Sequence, residues 1–284
     1  MAKSCQAAYQ GEKGAYSEEA IIQYFGSEVS TCGFETCGEV LDAVQNDRAK
    51  LGFLPAENSI AGTITQTYDL LLESKLTIVG EYYFRIHHNL LALPGVTIAE
   101  IDRVYSHPQA LAQCQQFLKK YSLKPMPEWD TAGGARKLRR ENLPTAAAIA
   151  SQRAAKIHNL QVLFESIEDV SHNTTRFFIL GKNESLRTKK SKTSILFSVR
   201  DNPGELLRCL EVFATHGLNL TKIESRPERN RPWHYIFYLD FEGHVEDAPV
   251  EQALVQLLKR ASFVKVLGSY PEGIMPEWQK TQSE

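Results

Sequence analysis

Five times in its first ~180 residues the chain repeats one pattern: a short apolar run enters a small polar loop, and the loop opens a helix-forming stretch. Residues 7–9 lead through Gly11-Glu12-Lys13-Gly14-Ala15-Tyr16-Ser17 into 18–25, where Ser17 reads as the N-cap. Residues 51–54 lead through Pro55-Ala56-Glu57-Asn58-Ser59-Ile60-Ala61-Gly62-Thr63 into 64–72. Residues 102–105 lead through Ser106-His107-Pro108-Gln109 into 110–120. Trp129 leads through Asp130-Thr131-Ala132-Gly133-Gly134 into 135–140, and residues 146–150 lead through Ser151 into 152–158. Strands that alternate with helices pair mainly in parallel, because each helix carries the chain back to the same end of the sheet; the expected class is α/β.

After Arg187-Thr188-Lys189-Lys190-Ser191-Lys192, which reads as a solvated linker, the rhythm changes. A β-branched strand at 193–199, a turn at Asp201-Asn202-Pro203-Gly204 and a helix at 205–215 come first. Strands at 218–225 and 233–241, a helix at 250–261 and a strand at 263–267 follow. The order βαββαβ is the ferredoxin-like arrangement.

Composition bounds the function. The 284 residues carry a net charge of −2 with 43% hydrophobic and 23% charged residues, ordinary for two globular domains. Lys and Arg are scattered, so the basic face of a nucleic-acid binder is not expected. No apolar run approaches the ~20 residues of a membrane span, and the first ten residues have no secretory apolar core. Cys5, Cys32, Cys37, Cys114 and Cys209 match no zinc spacing, and they read as free thiols of a reducing compartment with no metal.

Open α/β sheets bind ligands at the carboxyl ends of their strands. Those ends carry Ser17, Ser59, Thr63, Ser106 and Thr131, each at or near a helix start. Singly each reads as an N-cap; together the helix starts could hold a small anion. Ser106 and His107 are adjacent and form no hydrolase pair by spacing. Glu57-Asn58-Ser59 is a dense polar triplet after a strand, a turn or a ligand loop. His172-Asn173-Thr174-Thr175-Arg176-Phe177-Phe178 brings polar groups into an apolar strand, with Arg176 either a bidentate carboxylate holder or a surface ion-pair partner. Residue chemistry alone thus points to a two-domain protein that binds a small organic anion.

Seven ordered segments add a resemblance: Tyr9-Gln10-Gly11, Gly14-Ala15-Tyr16-Ser17, Pro55-Ala56-Glu57-Asn58-Ser59, Tyr68-Asp69-Leu70-Leu71, Ser106-His107-Pro108-Gln109-Ala110-Leu111, Asp130-Thr131-Ala132-Gly133 and Asn173-Thr174-Thr175-Arg176-Phe177. From residue 8 to about 273 the chain resembles the prephenate dehydratase family, which includes the arogenate dehydratases. The resemblance implies a catalytic region at 1–182 with two lobes similar to type II periplasmic solute-binding proteins, one at about 1–80 with 165–182, the other at about 81–164. A linker at 183–192, a regulatory domain at 193–273 and a tail at 274–284 would follow. The implied reaction is a 1,4-elimination in which carbon dioxide and the ring hydroxyl leave and the ring becomes aromatic, without metal or organic cofactor. Thr175 matches the family's catalytic threonine. Glu57, Asn58, Ser59, Ser106, Thr131, Gly133, Asn173, Arg176 and Phe177 match positions expected near substrate.

Residues 193–273 resemble an ACT domain, a module that binds amino acids and pairs across subunits. Asn202, Pro203, Gly204 and Leu206, with Glu224, Ser225, Arg226 and Pro227, match its phenylalanine-binding positions; Glu205 stands where the family pattern has a small apolar residue. The resemblance implies phenylalanine as effector, prephenate or arogenate as substrate, a homodimer or homotetramer through the ACT domains, and the cytoplasm, or the plastid stroma for a trimmed plant or algal enzyme. No fused chorismate mutase domain is expected ahead of residue 7. The alternative is a non-catalytic amino-acid-binding regulator on the same folds.

Overall fold

The computed structural model describes residues 4–227 and 234–276. Along the chain come β1 (Cys5–Gln10), α1 (Tyr16–Phe25), β2 (Thr31–Phe34), α2 (Cys37–Gln45), β3 (Ala49–Asn58), β4 (Gly62–Thr63), α3 (Thr65–Glu73) and β5 (Thr77–Arg85). A second sheet follows with β6 (Asn89–Ala92), β7 (Arg103–Ser106), α4 (Pro108–Gln113), α5 (Gln115–Lys120), β8 (Lys124–Pro127), α6 (Thr131–Glu141), β9 (Ala146–Ala150), α7 (Gln152–His158) and β10 (Gln161–Phe164). The long strand β11 (Thr174–Gly181) rejoins the first sheet. The chain ends with β12 (Ser191–Ser198), α8 (Glu205–Thr215), β13 (Leu220–Pro227), β14 (Tyr235–Glu242), α9 (Ala248–Arg260) and β15 (Phe263–Pro271).

Strand orders are β2-β1-β3-β11-β5 with β4 on β3, then β10-β6-β9-β7-β8, then β13-β14-β12-β15. Pairing is parallel between β1 and β3 and between β7 and β9, and antiparallel at β6 with β9 and with β10. The third sheet is fully antiparallel and has the βαββαβ order read from the sequence. The chain divides into two compact units, one built chiefly from 1–64 and 83–177, the other from 65–82 and 178–274.

Within the first unit, the second sheet is covered on both faces. Leu90, Val104, Ala147 and Ile149 pack with Ala110, Leu111 and Leu118, whereas Leu91, Tyr105, Ala146, Ala148 and Ala150 pack with Ala135, Leu138 and Ala154. Alternate residues of β9 thus serve opposite cores, which explains a strand of five consecutive buried apolar residues. Small side chains let α6 close onto this sheet: a Cβ on Gly134 would sit 2.9 Å from the carbonyl oxygen of Tyr105.

In the second unit, Ile195, Phe197, Phe237, Leu239 and Phe241 face Cys209 and Phe213 of α8 and Val250 and Leu257 of α9. The intervening Ser194, Leu196, Tyr238 and Asp240 are equally buried, and all but Leu196 carry polar groups. Ser194 donates to Asp240 at 2.6 Å and its oxygen lies 2.6 Å from the Tyr270 hydroxyl, while Lys192 donates to Glu81 at 3.1 Å. The run read as solvated linker therefore ends earlier: β12 starts at Ser191, and Lys192 is buried because Glu81 neutralises it.

Other local readings shift as well. Ser17 is not the cap of α1; Ala15 holds that position, and the Glu18 carboxylate reaches back to the Gly14 N–H at 2.8 Å. Strand β3 extends through Pro55 to Asn58, where a loop is expected. Its pairing with β1 ends at Phe53, so a residue without an N–H breaks no bond on that side. Ser151 does cap α7, accepting from Ala154 N at 2.9 Å. The reading of five free thiols is corrected for two: Cys5 and Cys32, 27 residues apart, form a disulfide with Cα atoms 6.1 Å apart, whereas Cys37, Cys114 and Cys209 form no disulfide and are buried. Spacing rules miss the pair because the side-by-side placement of β1 and β2 is a tertiary fact.

Candidate active site

Strand β3 delivers Glu57 and Asn58, and β11 delivers Thr174, Thr175 and Arg176 beside them. Successive strand residues alternate faces, and the contacts sort accordingly. On one face Asn58 Nδ2 donates to Asn173 Oδ1 at 2.8 Å and to Thr175 Oγ1 at 3.1 Å. On the other, Arg176 Nη1 lies 4.0 Å from Glu57 Oε2, with Arg176 buried and Glu57 half-exposed. Arg176 is thus no surface ion-pair partner. Asn58 is itself held by the chain: its Oδ1 accepts from Ile60 N at 3.1 Å and Ala61 N at 2.9 Å, an Asx turn. Ser59 fastens the two strands, donating to His172 O at 2.8 Å and accepting from Thr174 N at 2.9 Å. Phe177 is a core residue, its ring 5.0 Å from that of Phe53.

The Asn58 network continues through residues that sequence reasoning missed. Asn173 Nδ2 donates to Gln113 Oε1 at 3.0 Å, Gln113 Oε1 lies 2.8 Å from His88 Nε2, and His88 Nδ1 lies 2.7 Å from the Tyr16 hydroxyl. Six side chains, from two strands of the first sheet, two helices and the segments ahead of β6 and β11, therefore form one hydrogen-bonded row from Tyr16 to Thr175. The missed signal was His87-His88-Asn89, a polar triplet ahead of the apolar β6, and Gln113 at the end of the helix opened by Ser106-His107-Pro108.

Two chain crossings between the sheets are stitched beside this row. Ile86 N donates to Asn173 O at 2.8 Å and Ile167 N to His88 O at 2.8 Å, while Glu168 accepts from His88 N at 2.9 Å and lies 3.2 Å from His87 Nδ1. Burial pulls the His88 pKa down, opposed by the Gln113 bond and the Glu168 charge; the result is lowered. Burial raises the Tyr16 phenol well above its ordinary value. Both groups are therefore uncharged at neutral pH.

Helices α1, α4, α6 and α7 start at the carboxyl ends of β1, β7, β8 and β9, the strand ends where anions bind in such sheets. The candidate hydroxyls there are differently employed than expected. Ser106 is fully buried and donates to Ile149 O at 2.6 Å; His107 is the cap of α4. Thr131 is the first residue of α6, and Asp130 caps it by accepting from Gly133 N. Gly133 is required by that cap, since a Cβ there would sit 2.8 Å from Asp130 Oδ1. Across the unit, Ser151 donates to Gly14 O at 2.7 Å and Arg153 holds Glu18 at 2.7 and 3.2 Å. Among the described residues, no group of three or more His, Cys, Asp or Glu is arranged to hold a metal ion.

Residues 7–185 match the family model for prephenate dehydratase, and residues 193–259 match that for the ACT domain. The chain belongs to the prephenate dehydratase family. An Arabidopsis thaliana relative described as arogenate dehydratase/prephenate dehydratase 2, chloroplastic, is 45% identical over 93% of this chain and 72% of its own. A prephenate dehydratase structure from Arthrobacter aurescens, in complex with L-Phe, superposes with a TM-score of 0.87 at 31% identity, covering 94% of this chain and 90% of that one. A structure described as a novel type of quorum quenching acylase also superposes with a TM-score of 0.87, at 35% identity over 96% of this chain and 99% of that one. The family membership, the α/β catalytic region and the antiparallel ACT domain inferred from the sequence are all borne out.

Within the ACT domain of this family member, Gly204 sits at φ +85 as the cap of α8, and Glu205 N donates to Asn202 O at 3.3 Å. The departure at Glu205 has a local account. Arg208 donates to Glu205 at 2.8 Å and to Pro203 O at 3.1 Å, clamping the turn, and a carboxylate in a first helical turn is favoured by the helix dipole. Leu206 packs against the ACT core. On the edge strand β13, Glu224 and Arg226 are half-buried and alternate with exposed Ser225 and Pro227; Arg226 lies 3.8 Å from Asp69 of α3. No helix among the described residues is long and apolar enough to cross a membrane.

Proposed function

We propose that the chain catalyses the decarboxylating dehydration of prephenate to phenylpyruvate, of arogenate to phenylalanine, or of both, as a carbon–oxygen lyase. The observation that carries this is the hydroxyl of Thr175: its oxygen accepts from Asn58, so its proton is left to donate elsewhere. In the elimination the ring carboxylate leaves as carbon dioxide and its electron pair enters the ring. The ring hydroxyl departs as water as it gains a proton. Thr175 donates a hydrogen bond to that departing oxygen, and the N–H-rich helix starts, with Gln113 and Thr131, hold the substrate carboxylates. Aromatisation supplies the driving force, so the reaction needs no cofactor.

The catalytic region is taken as residues 1–182 and the regulatory domain as 193–273. Phenylalanine bound at Asn202, Pro203, Gly204 and Leu206 with Glu224, Ser225, Arg226 and Pro227 shifts the population of closed catalytic clefts. Pairing of ACT domains gives a dimer or tetramer. The cytoplasm, or the plastid stroma, is the proposed compartment.

Ultraviolet assay with each substrate separately tests the reaction and names the substrate, with an acyl amide run in parallel because one structural relative is described as an acylase. Thr175→Ala lowers kcat by about a hundredfold while Thr175→Ser retains most of it; kcat near wild type in Thr175→Ala refutes the assignment. Calorimetry showing no phenylalanine binding removes the regulatory part and leaves the catalytic part standing.

A further inference from the structure

The hydrogen-bonded row has a direction, and the backbone sets it. Ile60 N–H and Ala61 N–H are donors and nothing else, so the Asn58 atom they meet is its oxygen. Asn58 therefore turns its NH2 to Asn173, whose oxygen must accept. Asn173 turns its own NH2 to Gln113, whose oxygen must accept in turn. The second atom at that Gln113 oxygen, His88 Nε2, must then carry a proton. With Nε2 protonated and the ring uncharged, Nδ1 is a bare acceptor that faces the Tyr16 hydroxyl at 2.7 Å, whose one proton also meets the His87 carbonyl oxygen at 3.1 Å. Reversing any one amide would set two donors or two acceptors against each other at 2.8–3.0 Å, which costs the bond and strands a buried polar atom.

The free end of this logic lies at Gln113. Its oxygen is used by Asn173 and His88, and its NH2 has no partner among the described residues. The side chain is half-exposed at the end of α4, and its two N–H groups are the ones that Asn173 and His88 leave unused. They suit an oxyanion or a hydroxyl and would repel nothing in a substrate with two carboxylates.

We propose that His88, held by the Gln113 oxygen as the Nε2–H tautomer, is a positioning residue that fixes the Gln113 carboxamide with its NH2 toward the substrate. This rests on the dehydratase reading for its kinetic consequence but not for its structural one. His88 does not touch the reacting atoms; it acts through Gln113. The groups around it are Glu168, which accepts from the His88 backbone N–H and neighbours His87, then Gln113 and Tyr16. Burial lowers its pKa, which keeps a single proton on the ring.

Nitrogen-15 NMR of the histidine ring in the full-length wild-type protein tests the structural half directly. The expected result is one Nε2–H tautomer at neutral pH, retained in Tyr16→Phe because the Gln113 oxygen still requires a donor from the ring. An Nδ1–H tautomer or a doubly protonated ring in the wild type overturns the proposal, whatever the enzyme acts on. Steady-state kinetics test the other half. His88→Leu removes the donor to Gln113 and raises KM on the order of tenfold, with a smaller change in kcat. His88→Gln, whose amide nitrogen reaches the place of Nε2, restores KM to within about threefold of wild type. Equal KM in Leu and Gln variants that both melt like wild type overturns the positioning role. A wild-type protein inactive on prephenate and arogenate would instead refute the dehydratase reading and leave the tautomer result intact.

Discussion

Replacing Asn58 by Asp changes one NH2 into an oxygen and nothing in shape. The Ile60 and Ala61 amides keep their acceptor, so the Asx turn survives. What is lost is the donation to Asn173 at 2.8 Å and to Thr175 at 3.1 Å, with a longer contact to Thr174 O at 3.4 Å. Two hydrogen bonds are worth about 1 kcal/mol each, and a stranded buried acceptor on Asn173 costs about 1–3 kcal/mol more, so unfolding free energy falls by about 3–5 kcal/mol. The catalytic consequence is distinct. Facing a carboxylate, the Thr175 hydroxyl turns its proton inward, where wild-type Thr175 accepts and keeps that proton for substrate. Loss of that donation costs on the order of a hundredfold in kcat. The two substitutions Asn58→Asp and Thr175→Val then remove the same proton, and the double variant is scarcely slower than either single one. The assay is the ultraviolet rate at saturating substrate, with urea unfolding alongside. A kcat for Asn58→Asp within about threefold of wild type, or fully additive losses in the double variant, refutes the polarity assigned to the row.

Two further outcomes follow from buried charge. Burial would raise the Glu18 pKa, but bonds from Arg153, Gly14 and Thr31 outweigh it and leave it lowered. A folded-state pKa below the unfolded one contributes stability above the unfolded value that is lost as pH falls through the folded one. Glu18→Gln therefore flattens the acid limb of the stability–pH curve measured by urea unfolding; an unchanged limb refutes the assignment. In the other unit, Lys192→Met removes the ammonium that neutralises the buried Glu81, although Gly273 N still donates to it at 2.9 Å, and costs about 3–5 kcal/mol, whereas Lys192→Met with Glu81→Met costs much less. Equal losses in the single and double variants, by thermal or urea unfolding, would show that the pair is not what holds these residues.

Strand–loop–helix repetition made the α/β class legible because each repeat is local: an apolar run, a turn residue and a cap lie within about fifteen residues. The βαββαβ order of the last domain was legible for the same reason. Strand pairing was not, and with it went everything that depends on neighbours distant in sequence. Lys192 looks like linker until Glu81, 111 residues away, is placed beside it. Cys5 and Cys32 look unrelated until β1 and β2 lie side by side. Ser106 and Thr131 look like free hydroxyls at helix starts; the first spends its proton on Ile149, and the second yields its cap to Asp130.

Motif resemblance found Asn58, Asn173 and Thr175, and it could not say which atom of each faces which. That information enters through two backbone N–H groups at residues 60 and 61, which have no freedom of orientation. From there each carboxamide inherits its direction from the one before it, through Asn58 and Asn173 to Gln113 and the ring of His88, with a branch from Asn58 to Thr175. Carboxamides suit such a row because each carries one acceptor and two donors at fixed separation, so a single buried contact decides both ends. A carboxylate in any of these places would accept at both ends and break the sequence. The same two amides thus determine that Thr175 presents a proton and that Gln113 presents an NH2, which makes the turn after β3, rather than any one catalytic side chain, the part of the fold that assigns the polarity of the site.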